Sequence, residues 1–314
     1  SRSLEEGQDI ARTIVERGYP TVLTGGGDGT FVQMVTWVVR CAEELGKPFP
    51  RFGLLKLGTG NALAWVLGAQ NPRGRGVVAD LARLRREGGS RQLRLLEVED
   101  RLTPFAGLGG DAIALSHYNA MREVFYKSRW LRHVATGPVV YGVSLLGRTV
   151  PQYILKPTLR VRVVNEGAPA IRIGQDDRPV GKPIEKGEVI YDGPIRLLAF
   201  STIPYWGLGA RIFPYAEERE DRFNLRVVNF GSITAVANIR EIWKGAYRSD
   251  QLHDFLVERM VVHCEEPTPV QIGGDVIGMR DLVRVALSER PIHVVDYYAP
   301  PRVPDTAQRV TSEL

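Results

Sequence analysis

The feature that most restricts this chain is a pair of glycine-rich turns, each set between an apolar strand and a helical stretch. Thr21-Val22-Leu23-Thr24 runs into Gly25-Gly26-Gly27-Asp28-Gly29-Thr30, and residues 30–45 read as a helix. Phe52–Lys56 then runs into Leu57-Gly58-Thr59-Gly60, and another helix opens near Asn61. Strand, glycine turn and helix, repeated in close succession, predict a parallel α/β sheet with its site at the carboxyl ends of the strands.

Such turns suit an anion. Glycine tolerates positive φ and lets the backbone approach a ligand closely. Successive N–H groups then form an anion-binding concavity, and the following helix adds its positive end. Asp28 would repel a phosphate unless it holds a metal or a donor group, while Thr30 can cap the helix and touch a phosphate. The plainer alternative is a tight turn with Asp28 as a helix cap. The first turn has neither a Gly-Lys-Ser/Thr ending nor a dinucleotide fingerprint.

At 314 residues the chain suits two domains, and 44% hydrophobic with 25% charged residues excludes disordered and fibrous classes. Residues 4–17 read as an amphipathic helix stopped by Gly18 and Pro20. Beyond about residue 95 the pattern becomes β-rich, of sandwich or barrel type. Strands are expected at Gln92–Glu99, Leu159–Val164, Ala170–Ile173, Ile195–Ser201, Phe223–Asn229, Met260–His263, Val270–Ile272 and Leu282–Leu287. Arg129–Leu146 and Ile233–Tyr247 read as helical insertions, and Gly174–Gly187 as an exposed loop or hairpin. The expected division is an α/β domain over 1–100 and a β-rich domain over 101–290. A C-terminal strand and tail over 291–314 would return to the first domain, with Pro300–Leu314 a loose tail.

Gly26–Thr30 resembles the Gly-Gly-Asp-Gly-Thr signature shared by diacylglycerol, sphingosine and NAD kinases and, loosely, phosphofructokinases. Gly58-Thr59-Gly60-Asn61 resembles the second motif of the lipid-kinase branch, and Gly107-Leu108-Gly109-Gly110-Asp111-Ala112 its third. Tyr205-Trp206-Gly207-Leu208-Gly209 with Pro214-Tyr215-Ala216, and Gln271-Ile272-Gly273-Gly274-Asp275, complete five matches in family order. The resemblance to the diacylglycerol kinase/sphingosine kinase family implies an α/β nucleotide-binding domain followed by a β-sandwich-type domain, with the site in the interdomain cleft. Family members usually begin with one further strand ahead of the first helix; the chain opens Ser1-Arg2-Ser3 without methionine, so the expectation is either a piece missing upstream or a protein that dispenses with that strand.

The resemblance also implies a reaction: the γ-phosphate of ATP passes, with Mg²⁺, to a lipid hydroxyl. Diacylglycerol is the default acceptor and a sphingoid base or ceramide the nearest variant. Gly26, Gly27, Asp28, Gly29, Thr30, Gly58, Thr59 and Asn61 would serve the nucleotide, Asp28 lying near Mg–ATP or the acceptor hydroxyl. The family's Asp-Gly-Glu turn, whose glutamate takes the acceptor's proton, reads Gly273-Gly274-Asp275 here. Asp275 is therefore the expected base, on an arm one methylene shorter; the alternative is a plain turn aspartate. A magnesium-binding block of some bacterial members reads Asp221-Arg222-Phe223-Asn224, leaving Asp221 as the one carboxylate for a metal. Ala62 after Asn61 is closer to the sphingosine-kinase version, and Asp111 would meet the lipid's polar head or else cap a helix.

Rival readings are a kinase of a soluble acceptor such as NAD, and a degenerate lipid- or nucleotide-binding protein. The net charge of +5 is too small to imply nucleic acid. Seven arginines from Arg73 to Arg94 face only Asp80 and Glu87, which suits either an anionic membrane surface or a solvated helix face. The apolar run within Trp130–Leu146 suits an acyl pocket or a core. The five histidines show no metal spacing, and Cys41 and Cys264 make no disulfide framework. The charged N-terminus is no signal peptide, and no apolar run spans a bilayer. A cytoplasmic protein, peripheral at the inner face of the membrane, is the expectation.

Overall fold

The structure is a computed structural model and describes residues 3–58, 61–70, 75–85, 89–110, 112 and 158–298. Thr59, Asp111, the Arg129–Leu146 segment and Pro300–Leu314 lie outside the described residues.

Helix α1 (Leu4–Glu16) starts at Ser3, whose hydroxyl accepts from Glu6 N at 3.1 Å, and buries Ala11 and Val15. Strand β1 (Thr21–Gly26) follows, then α2 (Asp28–Glu44), β2 (Arg51–Lys56) and α3 (Ala62–Leu67). Helix α4 (Gly76–Arg85) leads to β3 (Gly89–Leu93). A parallel β1–β2 pair, in register Thr21↔Arg51 to Gly26↔Lys56, brings both glycine turns to one end of the sheet. This first sheet has the order β1-β2-β15-β3, in which β15 (Ile292–Asp296) arrives from the far end of the chain. It lies parallel to β2 and antiparallel to β3.

Among the described residues the second sheet holds eleven strands, paired antiparallel throughout, in the order β5-β4-β14-β13-β6-β10-β11-β12-β8, with β7 and β9 attached through β13. Short strands β4 (Leu96–Val98), β5 (Arg101–Thr103) and β6 (Phe105–Gly109) precede β7 (Leu159–Asn165), β8 (Ile171–Ile173) and β9 (Val189–Ile195). Then come β10 (Leu197–Ser201), β11 (Phe223–Val228) and β12 (Leu252–Val257), with the short helices α5 (Ser232–Ala237) and α6 (Ile239–Trp243) between the last two. The long hairpin of β13 (Arg259–Ile272) and β14 (Asp275–Leu287) turns at Gly273-Gly274.

The helix expected over Ile233–Tyr247 breaks at Asn238, whose φ of −112° and ψ of 17° interrupt the helical run. The strands expected at Met260–His263 and Val270–Ile272 are one strand, β13, whose register shifts between His263 and Thr268.

Two cores meet along α2. Phe31, Val35, Val38 and Val39 pack into the core of the first sheet with Phe52 and Leu54. Val32, on the same helix, belongs to the core of the second sheet. Thr36 Oγ1 accepts from Leu102 N at 3.0 Å and donates to Val32 O at 2.7 Å, tying α2 to β5. Trp65 of α3 lies against Gly209, and Arg91 joins Glu217 at 2.9 Å across the same boundary.

Candidate active site

The two glycine turns close on each other. Leu57 N and Gly58 N both donate to Gly26 O, at 3.3 and 2.9 Å, so the end of β2 folds over the end of β1. The contact is backbone on backbone: a Cβ on Gly58 would stand 2.6 Å from Gly27 N, a separation real side chains do not reach. Thr30 folds back over Gly26, where a Cβ would lie 2.5 Å from its Oγ1.

Gly27 is the N-cap of α2 and supplies no side-chain hydrogen bond. Among the described residues no side chain caps the first-turn N–H groups of α2, and an uncapped helix start can hold a phosphate. Asn61 sits at φ 47°, a left-handed conformation that Asn accepts more readily than most residues. Its Nδ2 donates to Gly58 O, bracing the second turn. Its Oδ1 is buried and accepts no hydrogen bond among the described residues.

Asp28 does structural work that spacing could not reveal. Its carboxylate is buried and accepts from Ala62 N at 2.8 Å and Leu63 N at 3.0 Å, so it caps α3, not its own helix. The first turn therefore fixes the helix that follows the second. Burial pushes its pKa up from the ordinary 3.8 to about 6, and the two backbone hydrogen bonds pull the other way. With both oxygens engaged by amides, Asp28 acts on the loops through α3.

Asp275 reaches the same place from the other sheet. A Cβ on Gly29 would lie 2.5 Å from Asp275 Oδ2, so the carboxylate rests on the start of α2 and only glycine leaves it room. Asp275 keeps an exposed side, yet crowding there raises its carboxyl above the usual range; Arg101, a cation on β5, lowers it in part. Gly273 has φ +58°, and a Cβ would stand 2.5 Å from Val32 Cγ2. A side chain at 273 has neither the backbone nor the space it needs.

Gly26, Gly27, Asp28, Gly29, Thr30, Gly58, Asn61 and Asp275 thus converge where the turns meet the β13–β14 hairpin. Sequence reading passed over Arg101 beside Asp275, and Lys56, whose Nζ stands 4.2 Å from the Trp65 ring centroid at the mouth of the second turn. Lys56 ends the strand that feeds a glycine turn, which was the available signal; Arg101 carried none.

Asp221 stands apart from this site. Arg219 grips it through two bonds of 2.8 and 3.0 Å and Arg222 through a third of 2.8 Å, so its carboxylate, expected for a metal, is held by guanidinium groups. Those cations hold its pKa below the usual range. Asn224 is likewise committed: Nδ2 donates to Asp254 Oδ1 at 3.0 Å, and Oδ1 accepts from Tyr215 N at 3.3 Å. Among the described residues no group of three or more His, Cys, Asp or Glu could hold a metal ion. In the arginine-rich stretch, Arg91 is paired with Glu217, and Arg83 lies 4.0 Å from the buried Asp80.

Residues 2–97 match the family model for the diacylglycerol kinase catalytic domain. Solved structures share the architecture over nearly all of the chain. One is described as a diacylglycerol kinase from Bacillus anthracis str. Sterne: 14% identity, 96% of this chain, 85% of that one, TM-score 0.59. Two others, described as candidate diacylglycerol kinases from the same organism, are also 14% identical. They cover 96% of this chain and 86% of theirs at a TM-score of 0.63, and 94% and 84% at 0.60. No curated protein matches the chain. The fold is the one these structures share, with paired glycine turns at the ends of β1 and β2. Residues 2–97 thus resemble the diacylglycerol kinase catalytic domain.

Proposed function

We propose that the protein is an ATP-dependent lipid kinase, transferring the γ-phosphate of ATP to the hydroxyl of a membrane lipid. Diacylglycerol is the first acceptor to consider, and a sphingoid base or ceramide the nearest alternative. The observation that carries this reading is the placement of Asp275 against Gly29. It sets a carboxylate from the β13–β14 hairpin against a helix start that no described side chain caps.

The chemistry asks mainly for positioning and charge neutralisation. The first-turn amides of α2 and the backbone around Gly58 hold the phosphates. The buried, unpaired Oδ1 of Asn61 and the cradle that a Cβ would fill fit a nucleotide in this cleft. Asp275 receives the acceptor's proton as the hydroxyl oxygen bonds to the γ-phosphorus and the bond to the β-phosphate oxygen breaks. Its raised pKa brings it nearer the operating pH, as a general base requires. Arg101 offsets part of that rise. Asp275 would offer magnesium a carboxylate here, and the ion would neutralise phosphate charge.

A degenerate binding protein is the second reading. The commitment of Asp28 to α3 and of Asp221 to arginines favours it, since both carboxylates are lost to metal binding. Radiolabelled ATP and magnesium with separate micelles of diacylglycerol, sphingosine and ceramide separate the two. Label in an extracted lipid supports the kinase and names its acceptor; nucleotide binding without label in any lipid supports the second reading.

A further inference from the structure

Between β11 and β12 the chain leaves the second sheet to form α5 and α6, and neither helix buries a residue. Ile233, Val236, Ile239 and Trp243 are 78%, 58%, 54% and 43% exposed. Ile233 and Val236 stand three residues apart on α5, and Ile239 and Trp243 four apart on α6, so each helix carries its pair on one face, either side of the break at Asn238. A surface helix ordinarily turns such a stripe to the core, and helices this short draw their stability from packing. Here the stripe faces outward.

The base beneath it is firm. Arg248 Nη1 donates to Gly245 O at 2.7 Å and Tyr247 O at 3.0 Å, while its Nε holds Asp177 at 2.7 Å. Arg211 N donates to Trp243 O at 2.8 Å, fixing the end of α6. Cations flank the stripe: Arg240 on α6, Lys244 at its C-terminal end and Arg211 beside Trp243 are all exposed, against Glu241 as the single acid of the two helices.

We propose that α5–α6 is the element by which the protein docks on an anionic lipid bilayer. Ile233, Val236 and Ile239 enter below the headgroups, Trp243 sits at the interface, and Arg211, Arg240 and Lys244 meet lipid phosphates. An apolar stripe ending in tryptophan with basic flanks matches a bilayer boundary, where aromatic rings and long cationic stems each find a wet and a dry side. A protein partner fits less well, because the core of such interfaces is depleted in lysine. This inference rests on the lipid-kinase reading only for its purpose; docking itself is measured without ATP.

The test is sedimentation of the purified chain with vesicles of phosphatidylcholine alone and of phosphatidylcholine with phosphatidylserine. The expected result is salt-sensitive binding to the anionic vesicles. The double variant Ile233→Ser/Ile239→Ser should lose it by roughly tenfold or more, from the apolar area no longer buried. Arg240→Glu/Lys244→Glu should lose affinity and salt sensitivity together. Both variants should melt with the wild type, since the altered side chains are exposed, and should still phosphorylate a short-chain acceptor in detergent if the kinase reading holds. Absence of wild-type binding, or unchanged binding by both variants, overturns the proposal. A wild-type dimer that the serine variant converts to monomer also overturns it, giving the stripe to a second copy of the chain.

Discussion

The carboxylate of Asp275 rests on Gly29 so closely that a methyl group added there would lie 2.5 Å from Oδ2. Residues far apart in sequence, one on α2 and the other at the start of β14, thereby meet at the first turn of α2. The account of the site depends on this contact, and it is directly testable.

Gly29→Ala should separate activity from stability. The group in the way is the end of a flexible side chain, so Asp275 swings aside at little cost to the fold. A carboxylate displaced by about 1 Å should lower turnover by about 100-fold. Thermal melting beside a phosphorylation assay checks this: both should be measured on one preparation, and a large fall in melting temperature would place the effect in the fold.

Asp28 should titrate near pH 6. Its folded pKa of about 6 lies above the ordinary 3.8, so ionisation is easier in the unfolded chain. Its contribution to stability is therefore greatest below about pH 4, declines as pH rises, and is level above about 6. Carboxyl NMR should show the midpoint. Asp28→Ala, which leaves Ala62 N and Leu63 N without their acceptor, should cost about 0.5–2 kcal/mol by the measure of helix caps and weaken nucleotide binding with it.

Gly273→Asp restores a carboxylate common in the resembled family and should harm this protein. With φ at +58° and Val32 Cγ2 2.5 Å from the new Cβ, destabilisation of about 1–3 kcal/mol follows, from the backbone and from crowding. Chemical denaturation measures it.

Asp221→Asn should cost about 1–3 kcal/mol, because Arg222, buried beside it, would lose its carboxylate, whereas the Arg219 pair lies at the surface and adds little. Chelation of divalent ions should shift the melting temperature of wild type and variant equally. A shift confined to the wild type would restore the metal.

Much of the first sheet was legible because strand, glycine turn and helix follow one another locally. The second sheet was less so. Glu265, Glu266, Pro267 and Pro269 interrupt the apolar alternation of β13, yet it continues through them with a shifted register. β9 contains Gly193 and Pro194, poor strand formers, and was not read at all. Within the site, residue types were visible while partners were not: the capping of α3 by Asp28 and the seat of Asp275 on Gly29 span distant segments that only tertiary packing joins. Gly273 was legible as a departure from a motif; its positive φ and its contact with Val32 were not.

The most direct test compares the wild type with Asp275→Asn for transfer of label from ATP to lipid hydroxyls, with nucleotide binding measured on both. Asn keeps the shape and cannot take a proton, so the account predicts labelled lipid from the wild type, a loss of at least about 100-fold in the variant, and equal nucleotide affinity. Label transfer by the variant at the wild-type rate would contradict the assignment of Asp275, and no labelled lipid from the wild type would contradict the lipid kinase.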